Sequence, residues 1–105
     1  NVGGYKVYPQ EVEEVLTKSE FFKDCGVVGI SMNDSDVVVA AVVNPSELDE
    51  NLWNQYCAKN LEKYKVPKFF ISVDKIPRLE SGKLKRNELK ELILQKMTEV
   101  KNVTS

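Results

Sequence analysis

The sequence predicts an α+β domain: a small sheet of about three main strands packed by three helices. Three observations support this. Two strand-like apolar runs, Cys25 to Met32 and Val37 to Val43, are joined by a polar turn. Three other segments repeat apolar residues every three or four positions, the period of a helix with one buried face. In chain order these read loop-β-α-β-β-α-β-loop-α, so helices are available to cover a sheet.

The elements follow in order. Asn1 to Tyr8 opens with Gly3 and Gly4 and then alternates polar and apolar residues, a loop entering a short strand. Pro9 suits a first helical position, and Glu11, Glu13 and Glu14 complement the positive end of the dipole. Val12, Val15 and Leu16 share a face, so a short amphipathic helix runs from Pro9 to near Ser19. Its glutamates read as dipole complement and solvated face, because nothing near them in sequence would shift their pKa values.

The two apolar runs form a hairpin around Asn33-Asp34-Ser35-Asp36. That turn has too few ligands, and not the EF-hand pattern, to read as a calcium loop. Val37 to Val43 is almost continuously apolar and β-branched, the signature of a central strand buried on both faces. Asn44-Pro45-Ser46 breaks the run. Leu52, Trp53, Tyr56, Cys57 and Leu61 then give a second helix from about residue 48 to 62, covering the sheet. Its Trp and Tyr read as core, since no basic residues interleave until Lys59.

Phe69-Phe70-Ile71 begins the third strand, and Pro77 closes the apolar run of Ile71, Val73 and Ile76, having no N–H for a ladder. The last helix is expected from about Asn87, as its N-cap, to Val100, with Leu89, Leu92, Ile93, Met97 and Val100 on one face. Residues 101–105 are expected to be a frayed tail.

At 105 residues the chain reads as one domain, large enough to bury a core without staples. No apolar run approaches the roughly 18 residues of a membrane span, and no signal-peptide pattern opens the chain. Cys25 and Cys57 lie far apart, and there is no histidine. Familiar zinc spacings and His-activated nucleophiles are thereby excluded; two reduced, buried thiols in a cytoplasmic setting are expected. The net charge of -1 hides a division: residues 1–61 hold 4 Lys/Arg against 10 Asp/Glu, and residues 62–105 hold 11 against 6. The basic second half favours an anionic partner, whether nucleic acid, nucleotide or a phosphopantetheine arm.

Between the third strand and the last helix lies Pro77-Arg78-Leu79-Glu80-Ser81-Gly82-Lys83-Leu84-Lys85-Arg86. Glu80-Ser81-Gly82 is turn chemistry, with Gly82 able to take a positive φ. Lys83 leaves the turn on a long stem with a point charge at its tip, suited to a phosphate or carboxylate some distance away. Alone, Lys83, Lys85 and Arg86 read as solvated charges flanking a surface helix.

Its company changes that reading. Gly4-Tyr5-Lys6-Val7-Tyr8-Pro9-Gln10-Glu11-Val12-Glu13, Val66-Pro67-Lys68 and Pro77-x4-Gly82-Lys83-Leu84-x-Arg86 occur here in this order. Together they resemble the C-terminal cap domain of the acyl-adenylate-forming (AMP-binding) enzymes, which include acyl- and aryl-CoA ligases, firefly luciferase and peptide-synthetase adenylation domains. The resemblance runs from Gly3 to about Met97, and its opening motif looks closer to the CoA ligases.

The resemblance implies a two-step reaction. A carboxylate attacks the α-phosphorus of Mg-ATP, releasing pyrophosphate and leaving an acyl-AMP; the thiol of coenzyme A, or of a carrier-protein pantetheine, then displaces AMP. It implies that this domain is a mobile lid on an N-terminal domain of the same polypeptide, which binds acid, ATP and Mg2+, and that the lid rotates between the half-reactions. Lys83 matches the adenylation lysine, with Gly82 and Arg86 in its supporting loop. Gly4 matches the glycine that lines the pantetheine tunnel, with Gly3 and Tyr5 beside it. Lys6, and equally Lys63, Lys65 or Lys68, are candidates for a CoA phosphate, each with the alternative of a solvated surface charge. No metal ligand is expected in this chain, and alone it is not expected to catalyse: the resemblance implies a hinge and large domain upstream, from which this domain is excised, with a free-standing cap working in trans as the alternative.

Two other classes of function stand beside this one. A basic module gripping RNA or DNA has only Phe69-Phe70 to offer as a stacking surface. A regulatory domain that kept the fold and lost the chemistry would have no reason to retain both Lys83 and Gly4. The acid is not legible, because acid specificity in this family lies in the large domain.

Overall fold

The structure, a computed structural model, describes residues 6–43 and 49–104, with residues 99–104 as helix backbone only. Its elements are α1 (Pro9–Ser19), β1 (Asp24–Met32), β2 (Ser35–Val43), α2 (Glu50–Asn60), a single 3-10 turn (Lys63–Lys65), β3 (Phe69–Val73) and α3 (Arg86–Thr104). The sheet order is β1-β2-β3, with β1 antiparallel and β3 parallel to β2. This is the expected α+β domain of three strands and three helices.

β2 is central, and its alternation divides the core. Val37, Val39, Ala41 and Val43 pack with Val28 and Ile30 of β1 against Leu89 and Ile93 of α3. Val38, Ala40 and Val42 pack with Val27 against Val12 and Leu16 of α1 and Cys57 of α2. A strand covered on both faces has no solvent side for polar residues, which accounts for the unbroken apolar run. Parallel pairing of β2 and β3 needs a crossover, and α2 supplies it. Asp49 caps α2, its carboxylate accepting the Leu52 N–H at 3.0 Å. Trp53 is buried with its ring centroid 4.9 Å from Phe22 and 5.2 Å from Phe70, so it is core as expected.

The structure corrects the expectations at five places. Residues 6–8 form no strand. The hairpin turn is Asn33-Asp34 alone, with φ of 49° and 67°, the left-handed pair that a two-residue turn requires and that Asn and Asp tolerate; Ser35 and Asp36 instead pair with Met32 and Ser31. β3 stops at Val73, which pairs with Val43, the last residue of β2, so the apolar run to Ile76 extends past the strand. Asn87 is not the cap of α3: the helix begins at Arg86, and the Leu89 N–H already bonds the Lys85 carbonyl at 3.0 Å. α3 continues through Thr104, over most of the expected tail.

Both cysteines are free and buried. Desolvation pushes the Cys57 thiol up to about 11 and raises that of Cys25. An unfolded thiol titrates near 8.5, so folding disfavours the thiolate. The stability from these groups is complete below about pH 8.5 and is lost as pH climbs towards 11, by roughly 3 kcal/mol for Cys57. Urea midpoints of this chain are therefore expected to fall between pH 8 and 11. A thiol reagent should label neither cysteine in the native protein at pH 8 and both in urea; fast native labelling would contradict this burial.

Candidate functional site

The stretch after β3 is built as a small hairpin. Arg78 and Leu84 form an antiparallel bridge. The Leu79 N–H donates to the Lys83 carbonyl at 2.8 Å, the Gly82 N–H to the Leu79 carbonyl at 2.8 Å and the Lys85 N–H to the Pro77 carbonyl at 2.9 Å. Gly82 has φ of 93°, with no heavy atom within 4 Å of where a Cβ would stand. The demand for glycine is thus conformational, at the bulge that follows a tight turn. Lys83 comes next, exposed, its N–H 3.4 Å from the Ser81 hydroxyl oxygen that accepts from it. No described residue forms an ion pair with its ammonium.

Two arginines flank this lysine, and both reach the free edge of β1. Arg86 donates through Nη1 to the Glu13 carboxylate at 2.7 Å and to the Val27 carbonyl at 2.6 Å, while Glu13 accepts the Val27 N–H at 2.7 Å. The pair therefore satisfies both outward backbone groups of Val27, which an edge strand would otherwise leave open. Arg78 forks onto Asp24, Nε to Oδ2 at 3.0 Å and Nη2 to Oδ1 at 2.7 Å, with Nη2 also 3.4 Å from the Cys25 carbonyl. Its remaining arm, Nη1, donates to the Gly82 carbonyl at 2.8 Å. The lysine hairpin is thus strapped to β1 at alternate residues, Cys25 and Val27, by planar guanidinium groups suited to bidentate contacts.

The other sequence-predicted residues are distributed as follows. Gly3, Gly4 and Tyr5 lie outside the described residues. Lys6 is exposed, its Nζ 5.6 Å from the Tyr8 ring centroid. Lys65 is engaged, 2.8 Å from Glu11 and 3.9 Å from Glu62, and the Glu11 hydrogen bond raises its pKa. Lys63 is exposed, and Lys68 stands 5.9 Å from the Phe69 ring centroid. Glu13 corrects the sequence reading: it is a half-buried ion-pair partner, not a solvated helix charge. Arg86 is an anchor rather than a free surface cation. Arg78 and Asp24 were not anticipated as partners; 54 residues separate them, and no local pattern links them.

Among the described residues no group of three His, Cys, Asp or Glu is placed to hold a metal ion, and no helix is long and apolar enough to cross a membrane. What the hairpin offers is a cation unpaired among the described residues, on a movable stem above an anchored base, a fit for an anion arriving from outside the domain.

Known proteins are similar to this chain in sequence and in fold. A 2-succinylbenzoate–CoA ligase of Listeria monocytogenes is 39% identical over 85% of this chain and 19% of its own length. The fatty acyl CoA synthetase of Mycobacterium tuberculosis superposes with a TM-score of 0.79 and 32% identity, over 87% of this chain and 18% of that one. The o-succinylbenzoate CoA synthetase of Bacillus subtilis, solved with ATP and magnesium ion, superposes with a TM-score of 0.73 and 38% identity, over 84% of this chain and 18% of that one. The chain thus spans about a fifth of the length of the curated relatives it matches. Residues 11–83, from α1 to the exposed lysine, match the AMP-binding enzyme C-terminal domain, and the chain belongs to that family.

Proposed function

We propose that this chain is the mobile C-terminal domain of an AMP-forming acyl-CoA ligase. In this reading it supplies Lys83 for ATP-dependent adenylation of a carboxylate, and the Gly3-Gly4 loop for approach of the coenzyme A thiol. The observation that carries the proposal is Lys83 itself, an exposed ammonium without a partner among the described residues, on a hairpin tied at both flanks to β1.

Adenylation brings two anions, the acyl carboxylate and the α-phosphate, into line. A compact cation between them offsets their repulsion and the charge that builds in the transition state, and its placement in advance avoids the cost of orienting it. Lys83 has that character, and its long stem allows it to enter a site formed by another domain. ATP and Mg2+ would be held by the N-terminal domain of the same polypeptide, in keeping with the relative solved with both. In the second half-reaction the small residues Gly3 and Gly4 would leave room for the pantetheine arm beside Tyr5, and the exposed Lys6 would meet a CoA phosphate. CoA is favoured over a carrier protein as acceptor because the relatives are CoA ligases. The relatives are named for different acids, 2-succinylbenzoate in one and fatty acids in the other, in keeping with selection of the acid by the N-terminal domain. The proposal includes a cytoplasmic location, where ATP and coenzyme A would be at hand as substrates.

The test is ATP–pyrophosphate exchange by the full-length ligase carrying this domain, over 2-succinylbenzoate, fatty, short-chain and amino acids. Exchange with one acid class, and a CoA thioester of that acid, is expected. No exchange with any acid from a folded enzyme would overturn the proposal.

A further inference from the structure

Building on the reading of Lys83 as the adenylation lysine, we propose that Arg78, held by Asp24, is the residue that positions it, acting through the Gly82 carbonyl. That carbonyl and the Lys83 N–H belong to the same peptide unit, so Nη1 of Arg78, 2.8 Å from the carbonyl oxygen, grips the plane from which Lys83 projects. The other arms of the guanidinium are already fixed, on Asp24 at 3.0 and 2.7 Å and towards the Cys25 carbonyl at 3.4 Å. Because the guanidinium is rigid and planar, fixing two of its donors on β1 fixes the direction of the third.

Little else holds the tip. Residues 78–83 are all exposed, and the space beside Gly82 is open. Apolar packing therefore does not set the conformation there, and the polar ties do. The Arg78 and Asp24 side chains are each 36% exposed, and an ion pair so open to water contributes little to folding. Its value is geometric. A lysine at position 78 would keep a charge near Asp24 but has no fork to hold the carboxylate and the Gly82 carbonyl together. Arg86, by contrast, ties the start of α3 and acts beyond the tip.

The test compares Arg78→Lys and Asp24→Asn with Lys83→Ala in the full-length ligase. Three quantities are read: pyrophosphate exchange, thioester formation from supplied acyl-AMP, and melting temperature. Displacing a catalytic group by about an ångström costs up to roughly a hundredfold, so Arg78→Lys is expected to lose about ten- to a hundredfold in exchange. Thioester formation should fall by less than about twofold and the melting temperature should hold, since the pair is exposed. Asp24→Asn should show the same selective loss to a smaller extent. In a Lys83→Ala background Arg78→Lys should add no further loss, because it acts through the absent side chain. Wild-type exchange by Arg78→Lys beside an inactive Lys83→Ala would overturn the positioning role and leave the adenylation lysine standing. Full exchange by Lys83→Ala would overturn both. An equal loss in both half-reactions with a lowered melting temperature would make Arg78 a folding residue and overturn the proposal.

Discussion

Lys83→Ala in the full-length ligase is expected to lower pyrophosphate exchange by roughly a hundred- to a thousandfold, the cost of removing one preorganised group that stabilises transition-state charge. Thioester formation from supplied acyl-AMP is expected to persist, because in the proposed mechanism the lysine acts where carboxylate and α-phosphate meet and not where the thiol attacks. The variant should fold normally. Lys83 is exposed, its backbone rather than its side chain joins the hairpin, and its ammonium has no described ion-pair partner to abandon. The measurement is paired: exchange and acyl-AMP-dependent thioester formation on one preparation, beside its thermal melt. A variant that keeps exchange would show that the lysine is a solvated surface charge. One that loses both half-reactions while remaining folded would place it in a step they share.

The largest stability effect is expected beneath that hairpin. Leu89, in the first turns of α3, is 0% exposed, and a Cβ added at Gly26 of β1 would stand 2.5 Å from its Cδ2. Helix and strand thus meet here with room for glycine and not for alanine. Truncation to Leu89→Ala removes a methine and two methyl carbons from a close-packed site, at a cost of about 3 kcal/mol within a range of roughly 2–5. Leu94, on the same helix but 42% exposed, should tolerate alanine within about 0.5 kcal/mol. Urea melts of the two variants check the contrast. In a Leu89→Ala background the Gly26→Ala change should recover part of the loss, since its methyl enters the space the leucine vacated. Equal melts for Leu89→Ala and Leu94→Ala would mean that α3 is not seated on β1 as described.

The family motifs and the exposed lysine could be read before any fold was known, because they are local: a glycine turn, a proline that ends a strand and a cation between them. The same is true of α1 from Pro9 to Ser19 and of β2 as the buried central strand, where helical spacing and an unbroken β-branched run state which faces are apolar. Where a pattern is local but has two geometries, the reading fell short. Asn33-Asp34-Ser35-Asp36 admits a four- or a two-residue turn, and strand pairing chose the shorter.

Only the tertiary structure decided what the polar groups do. Glu13 was a helix-dipole charge until β1 passed beside it and Arg86 arrived from 73 residues away. Arg78 was one more basic residue in a basic half until the parallel crossover brought it to Asp24. Periodicity reports that a face is apolar because burial of nonpolar area is nondirectional and shared among many neighbours. An ion pair depends on two side chains meeting within about 3 Å. No local spacing encodes that meeting, so the lysine was legible in the sequence and its mounting emerged only when the chain had closed on itself.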